Sequence, residues 1–300
     1  MSERNRLAVR KTYKLFIGGA FPRSESGRSY VVNDAKGRFL ANASQASRKD
    51  LRDAVTTARK AFGGWSRRTP YNRGQILYRV AEMLEGRRAQ FVDELRAAGA
   101  QKNAAVAEVD EAIDRWVWYA GWADKLGAVT GAANPVAGPF FNFSTPEPTG
   151  VVGIAAPDSP LLGLVSVVAP VIVSGNTCVV VASEPAPLPA ITLAEVLATS
   201  DLPGGVVNLL TGRRDELLPW LASHMDVNAL DLAGVSENRV RELEEAAAEN
   251  LKRVLRPGAA AGNGGVAGAA GARDDWTGDP GTARMTAFLE VKTVWHPVGV

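Results

Sequence analysis

Residues 148–187 read PTGVVGIAAPDSPLLGLVSVVAPVIVSGNTCVVVASEPAP, and this stretch decides the fold. Val151–Ala156 is a short apolar run between Gly150 and Pro157, as in a strand buried on both faces. Leu161–Val173 is longer, carries no charge and closes at Ser174-Gly175-Asn176, which predicts a buried helix. Cys178–Val181 is again short and β-branched and stops at Ser183-Glu184-Pro185. Strand, helix and strand with tight joints form a βαβ unit, which implies an α/β fold with a parallel sheet covered on both faces.

Working outward from this unit, the chain opens with a basic arm, residues 1–13, carrying Arg4, Arg6, Arg10 and Lys11. Such arms are ordinarily solvated, and no long basic block follows to suggest a nucleic-acid surface. Leu15–Phe21 predicts a strand and turn, and Tyr30–Val32 a second strand. Ser47 with Asp50 makes a capping box for a helix that buries Leu51, Ala54, Val55, Ala58 and Phe62. Thr69-Pro70 starts another, burying Ile76, Leu77, Val80, Met83 and Leu84. Trp116, Trp118, Tyr119 and Trp122 invite reading as an aromatic platform, but on a helix with Val109 and Ile113 they read as core or interface. Beyond the unit, Leu188–Ala198, Leu217–Ser223 and Glu237–Leu251 predict helices. Pro257–Gly281 is mostly Gly, Ala, Asp and Pro and reads as a flexible linker. Gly262–Ala267 satisfies G-x-G-x-x-A, but the strand and helix that give this motif its mechanism are missing around it.

The composition is ordinary for a globular protein: 300 residues, 46% hydrophobic, 22% charged, net charge +2. A single cysteine excludes an internal disulfide framework and suits a reducing cytoplasm. The longest apolar run is too short to span a membrane. With two histidines and one cysteine, a structural zinc site is not expected.

Pro148-Thr149-Gly150-Val151-Val152-Gly153, Pro157-Asp158-Ser159-Pro160, Gly175-Asn176-Thr177 and Val181-Ala182-Ser183-Glu184 together resemble the cofactor domain of the aldehyde dehydrogenase superfamily. They stand where that family has PxGVxG, a PWNFP-type segment, GNT and KPSE, with one residue missing near Asp158. Leu202–Gly212 resembles LPPGVFNVVTG, His224–Leu230 resembles HPDVDKI, and Asn250–Val254 resembles NLKRV. The resemblance covers about residues 14–256 and 285–299, with the family's catalytic domain missing between them. It implies a Rossmann-like cofactor-type domain, residues 14–134 and 153–256, with an oligomerisation hairpin at 135–152. A linker at 257–284 replaces the catalytic domain, and 285–300 is a C-terminal oligomerisation strand.

Aldehyde oxidation in the family needs a thiolate nucleophile, a general base and donors for the oxyanion. Cys178, the sole cysteine, falls on a strand position. By the NLKRV register Pro257 occupies the place of the base, and Pro157-Asp158-Ser159-Pro160 lacks the Asn donor. No catalytic residue is therefore assigned. The resemblance carries over Ser183, Glu184 and Gly234 as cofactor-binding positions. Val181, Val235 and Arg239 replace the family's Lys, Ser and Gly, so no NAD(P) binding, or only weak binding, is expected. The expectation is a cytoplasmic, non-catalytic structural or regulatory subunit. Its partner would be a full-length aldehyde dehydrogenase-like subunit, held through 135–152 and 285–300, with no nucleic acid and no membrane. The competing readings are an NAD(P)-dependent oxidoreductase using atypical residues and a nucleotide-binding sensor module.

Overall fold

The computed structural model describes residues 11–260 and 274–299. Arg4, Arg6 and Arg10 of the basic arm and the Gly262–Ala267 motif lie outside the described residues. A two-stranded hairpin, β1 (Ser29–Asn33) and β2 (Phe39–Ser44), precedes the helices α1 (Arg48–Ser66), α2 (Pro70–Glu85), α3 (Arg88–Ala97), α4 (Lys102–Trp122) and α5 (Leu126–Thr130). The Ser47–Asp50 capping box forms with both of its reciprocal bonds, and Thr69 caps α2 with Pro70 at its first turn. Two strands follow, β3 (Ala132–Asn134) and β4 (Phe140–Pro148), paired antiparallel.

The deciding stretch then forms β5 (Val151–Ala155), α6 (Leu162–Val173) and β6 (Thr177–Val181). Every residue of these three elements is buried. That is why their apolar pattern is continuous rather than alternating. After them come α7 (Leu188–Ala198), β7 (Val207–Leu210), α8 (Arg214–Ser223), β8 (Ala229–Asp231), α9 (Glu237–Ala248) and β9 (Arg253–Leu255). The parallel sheet runs β7-β6-β5-β8-β9. One core lies between the sheet and α2, α4, α6 and α7, and another between the sheet and α1, α8 and α9.

The short α10 (Ala283–Thr286) leads into β10 (Leu289–Pro297), which pairs with β4 from Leu289–Pro148 to Pro297–Phe140. Two buried polar groups tie this last segment to the main sheet. Asn176 accepts from the Gly150 N–H (2.8 Å) and donates to the Phe288 carbonyl (2.9 Å), so one amide joins the starts of β5 and β6 to the residue before β10. Arg284, 3% exposed, pairs with Asp231 at the end of β8 and with Asp274 (3.1 Å).

Several expectations change. Leu15–Phe21 is not a strand: Phe16 bridges Leu209 and Ile17 bridges Ala20, each singly. The strand β2 and the helix α3 were not anticipated, since Phe39–Ser44 carries two Ala, an Asn and a Ser, and α3 has only Phe91 and Leu95 buried. The hairpin begins at Ala132 and ends at Pro148, because Val151 and Val152 already belong to the parallel sheet. The aromatic stripe is core, with Trp116 and Tyr119 fully buried. The linker reading fails for 274–284. Trp276 packs on the main core, and Arg115 donates to the Trp276 (2.7 Å) and Gly278 (3.1 Å) carbonyls. Composition missed this because one aromatic and one buried Arg do the anchoring. Finally, β10 does not lack a backbone partner, since β4 of the same chain supplies it.

Candidate functional site at the crevice of the parallel sheet

The chain runs from β5 outward to β7 on one side and then continues at β8 on the other. The order reverses between β5 and β8, and in open α/β sheets ligands bind at the carboxyl ends of the strands at such a point. A crevice of about 660 Å³ lies there. Its walls include Asp158 after β5, Arg214 on α8, Gly234 and Val235 after β8, and Arg239 on α9.

Of the three positions carried over from the family, Gly234 lines this crevice, while Ser183 and Glu184 follow β6 and touch the lining residues Asp158 and Arg214. Gly234 is there because two backbones touch: a Cβ on it would sit 2.0 Å from the Ala156 carbonyl oxygen. Its N–H donates to the Ala155 carbonyl (2.9 Å), locking the two strand ends together. The Ser183 hydroxyl donates to Asp158 Oδ1 (3.1 Å). Glu184 accepts from Arg213 and from the Arg214 N–H (3.1 Å). Burial pushes Glu184 up, but the bonds from Arg213 and Arg214 outweigh it and hold the carboxyl below its usual range. Glu184 is thus ionised, with both oxygens engaged inside the chain.

Arg214 is the group that sequence reading missed. Its guanidinium donates to the Ala156 and Gly234 (3.2 Å) carbonyls and pairs with Asp158 (3.0 Å), spanning the crevice between the ends of β5 and β8. Arg239 pairs with Asp215 across to α8 and with Glu242 (3.2 Å) on its own helix. A signal was present: Arg213-Arg214 opens α8, and cations are unfavourable at a helix N-terminus unless something else holds them.

The crevice wall carries Asp158, Asp215, Glu237 and Asp274 against Arg214 and Arg239. The acids outnumber the bases among these lining residues, and the N-terminus of α9 opens on the same wall. Pro257 also lines the wall, where the family register places a base, and proline has no proton acceptor. Cys178 lies in the interior strand β6, fully buried, and burial pushes its thiol far up. Among the described residues no group of His, Cys, Asp and Glu is arranged to hold a metal ion. No helix among them is long and apolar enough to cross a membrane.

A doubly wound parallel sheet with helices on both faces and a crevice at its reversal point is the architecture of a dinucleotide-binding α/β domain. Residues 21–259 match the aldehyde dehydrogenase family, and the chain belongs to it. It is 33% identical over 248 residues to aldehyde dehydrogenase, cytosolic 1, of Elephantulus edwardii, covering 80% of this chain and 49% of that protein. Among solved structures it resembles the NAD+ complex of aldehyde dehydrogenase from Bacillus cereus. The TM-score is 0.78 and the identity 26%, over 84% of this chain and 52% of that one. It also resembles PnpE from Pseudomonas sp. WBC-3, at TM-score 0.79 and 28% identity, over 84% and 52% of the two chains. The chain thus spans about half the length of these relatives.

Proposed function

We propose that this chain is a non-catalytic structural or regulatory member of the aldehyde dehydrogenase family, working in the cytoplasm bound to a full-length aldehyde dehydrogenase-like subunit. The observation that carries the reading is the crevice itself. It holds no thiol, Pro257 lines it in the base position, and Arg214 bridges it. NAD(P) binding is then absent or weak, because Glu184 is engaged by Arg213 and Arg214 and the acidic wall repels phosphate. The partner surface is the sheet β10-β4-β3, whose strands β4 and β10 lie within 135–152 and 285–300. Phe141, Val291 and Trp295 are more than half exposed on it, and its two outer strands have unpaired edges among the described residues. The need for a partner rests on this apolar surface, not on a missing partner for β10.

Mild purification from the native cell tests the assembly, with the co-purifying proteins identified. An aldehyde dehydrogenase subunit is expected. Deleting 285–300 would strip β4 as well, so the exposed substitutions Val291→Glu and Trp295→Glu make the cleaner comparison. Failure to recover any such subunit, or recovery unchanged in both variants, defeats the heteromer reading. The second reading, a nucleotide sensor, is favoured by the volume still present in the crevice and by the NAD+ complex of the Bacillus cereus relative. Calorimetry with NAD and NADP separates the two: micromolar binding lost in Glu184→Gln supports the sensor. Aldehyde-dependent NAD(P) reduction by the chain alone would establish the third possibility, an enzyme with atypical residues.

A further inference from the structure

The segment 274–281 runs beside the crevice without joining the sheet. Among the described residues, none of its backbone groups pairs with the backbone of another element. Its own side chains shape it instead. Asp275 Oδ1 accepts from the Thr277 N–H (3.0 Å) and hydroxyl (2.8 Å), and Asp279 Oδ1 accepts from the Gly281 N–H (3.0 Å), two turns closed by carboxylates.

Side chains also hold the segment down. Arg115 on α4 donates to the Trp276 (2.7 Å) and Gly278 (3.1 Å) carbonyls, and its charge favours the ionised Asp275. Arg284 pairs with Asp274 (3.1 Å) and lies over the Trp276 ring. Asp274 also accepts from the Gly258 N–H (3.2 Å), and Trp276 packs on the main core. The fit beneath is incomplete. A cavity of about 220 Å³ separates the segment from Arg115 and Tyr119 on α4 and Ser166 on α6. The Ser166 hydroxyl there is 3% exposed and has no hydrogen-bond partner. Asp274 and Trp276 line both this cavity and the crevice, where they stand with Pro257 and Val235.

A segment with few backbone bonds to its surroundings opens locally, at a free energy below that of global unfolding. Here opening breaks side-chain bonds and exposes Trp276, while the parallel sheet keeps every backbone pair. The void underneath means that few packing contacts besides those of Trp276 are lost. We propose that 274–281 is a strap that opens as a unit and gates the crevice, the present structure being its closed state. Opening lifts Asp274 and Trp276 off the crevice wall and so takes an acid and an aromatic face from it. Such a gate acts on the same crevice as the proposed function but needs no partner subunit, so co-purification and strap opening fail independently.

Thiol labelling of the full chain, read peptide by peptide by mass spectrometry, tests the gate. Ser166→Cys reports the cavity under the strap, and Val235→Cys, at a position 9% exposed, reports the crevice wall. The native Cys178 in β6 reports global unfolding. Both introduced thiols should label faster than Cys178 in the native chain. Arg115→Gln removes the bonds to Trp276 and Gly278, and each bond of this charge-assisted kind is worth about tenfold in an opening constant. Labelling at both introduced thiols should then rise by about tenfold or more, with Cys178 unchanged. Trp276→Ala, on the strap itself, should act in the same direction and decides the matter if Arg115→Gln does not fold. The gate is overturned if either introduced thiol labels no faster than Cys178. Labelling of Val235→Cys that both strap variants leave unchanged, or a parallel rise at Cys178, overturns it as well.

Discussion

Replacing Arg284 with Met asks what holds the end of the chain to the parallel sheet. Arg284 is the only cation paired with Asp231 among the described residues, and it also pairs with Asp274. Asp231 is fully buried at the end of β8, and the Asp274 side chain is 7% exposed. Met matches the length of the aliphatic stem but leaves two buried carboxylates without a counter-charge. Removing one partner of a buried ion pair costs about 3–5 kcal/mol, most of it the desolvation of the charge left behind. For a chain of this size that corresponds to a fall in Tm of about 6–10 °C. The pH dependence has a definite sign. Burial already raises Asp231, with Arg284 pulling it back, so loss of Arg284 raises it further. A carboxyl with a raised folded pKa contributes stability below its unfolded value, near 4, and loses it as pH rises through the folded value. The deficit of Arg284→Met should therefore be largest at neutral pH and shrink on acidification. Asp231→Asn in the same chain should recover part of it at neutral pH. Denaturant unfolding from neutral to mildly acidic pH checks both. A deficit under about 1 kcal/mol, or one unaffected by Asp231→Asn, would refute the reasoning.

Gly234→Ala places a Cβ 2.0 Å from a backbone oxygen that cannot move without parting β5 from β8, so a loss above the ~1–3 kcal/mol of ordinary overpacking is expected in thermal unfolding. The Cys178 thiol should be inert to thiol reagents in the native protein and react once the chain is denatured, since burial raises its pKa and closes access; a native reaction at the free-thiol rate would contradict the burial of β6. Burial lowers His224, and its Nδ1 accepts from the Asp226 N–H (3.2 Å), so the folded chain favours the neutral ring. Stability from His224 should be present above its unfolded pKa of about 6.5 and be lost as pH falls through that value toward the lower folded one. His224→Gln should flatten that part of the stability–pH curve.

The sequence by itself determined the parallel α/β sheet, because β5, α6 and β6 are buried on all sides and their apolar runs are unbroken. It also placed the α1 and α2 starts, through caps whose chemistry is local, and the family, through motifs spaced along one stretch. Gly234, Ser183 and Glu184 were legible as candidate positions, of which Gly234 lines the crevice. What occupies those positions was decided only by the tertiary structure. Arg213 and Arg214 are near neighbours of Gly212 in sequence, yet they meet Glu184, Asp158 and Ala156 only when β5, β6 and α8 are brought side by side. The same holds for the end of the chain. Nothing local joins Asp231 to Arg284 or Asn176 to Phe288, which lie 53 and 112 residues apart. Nor does composition reveal that Trp276 docks on the core. Hydrophobic periodicity and capping act over a few residues, whereas the pairing of buried charges and backbone carbonyls depends on contacts that exist only once the sheet has assembled.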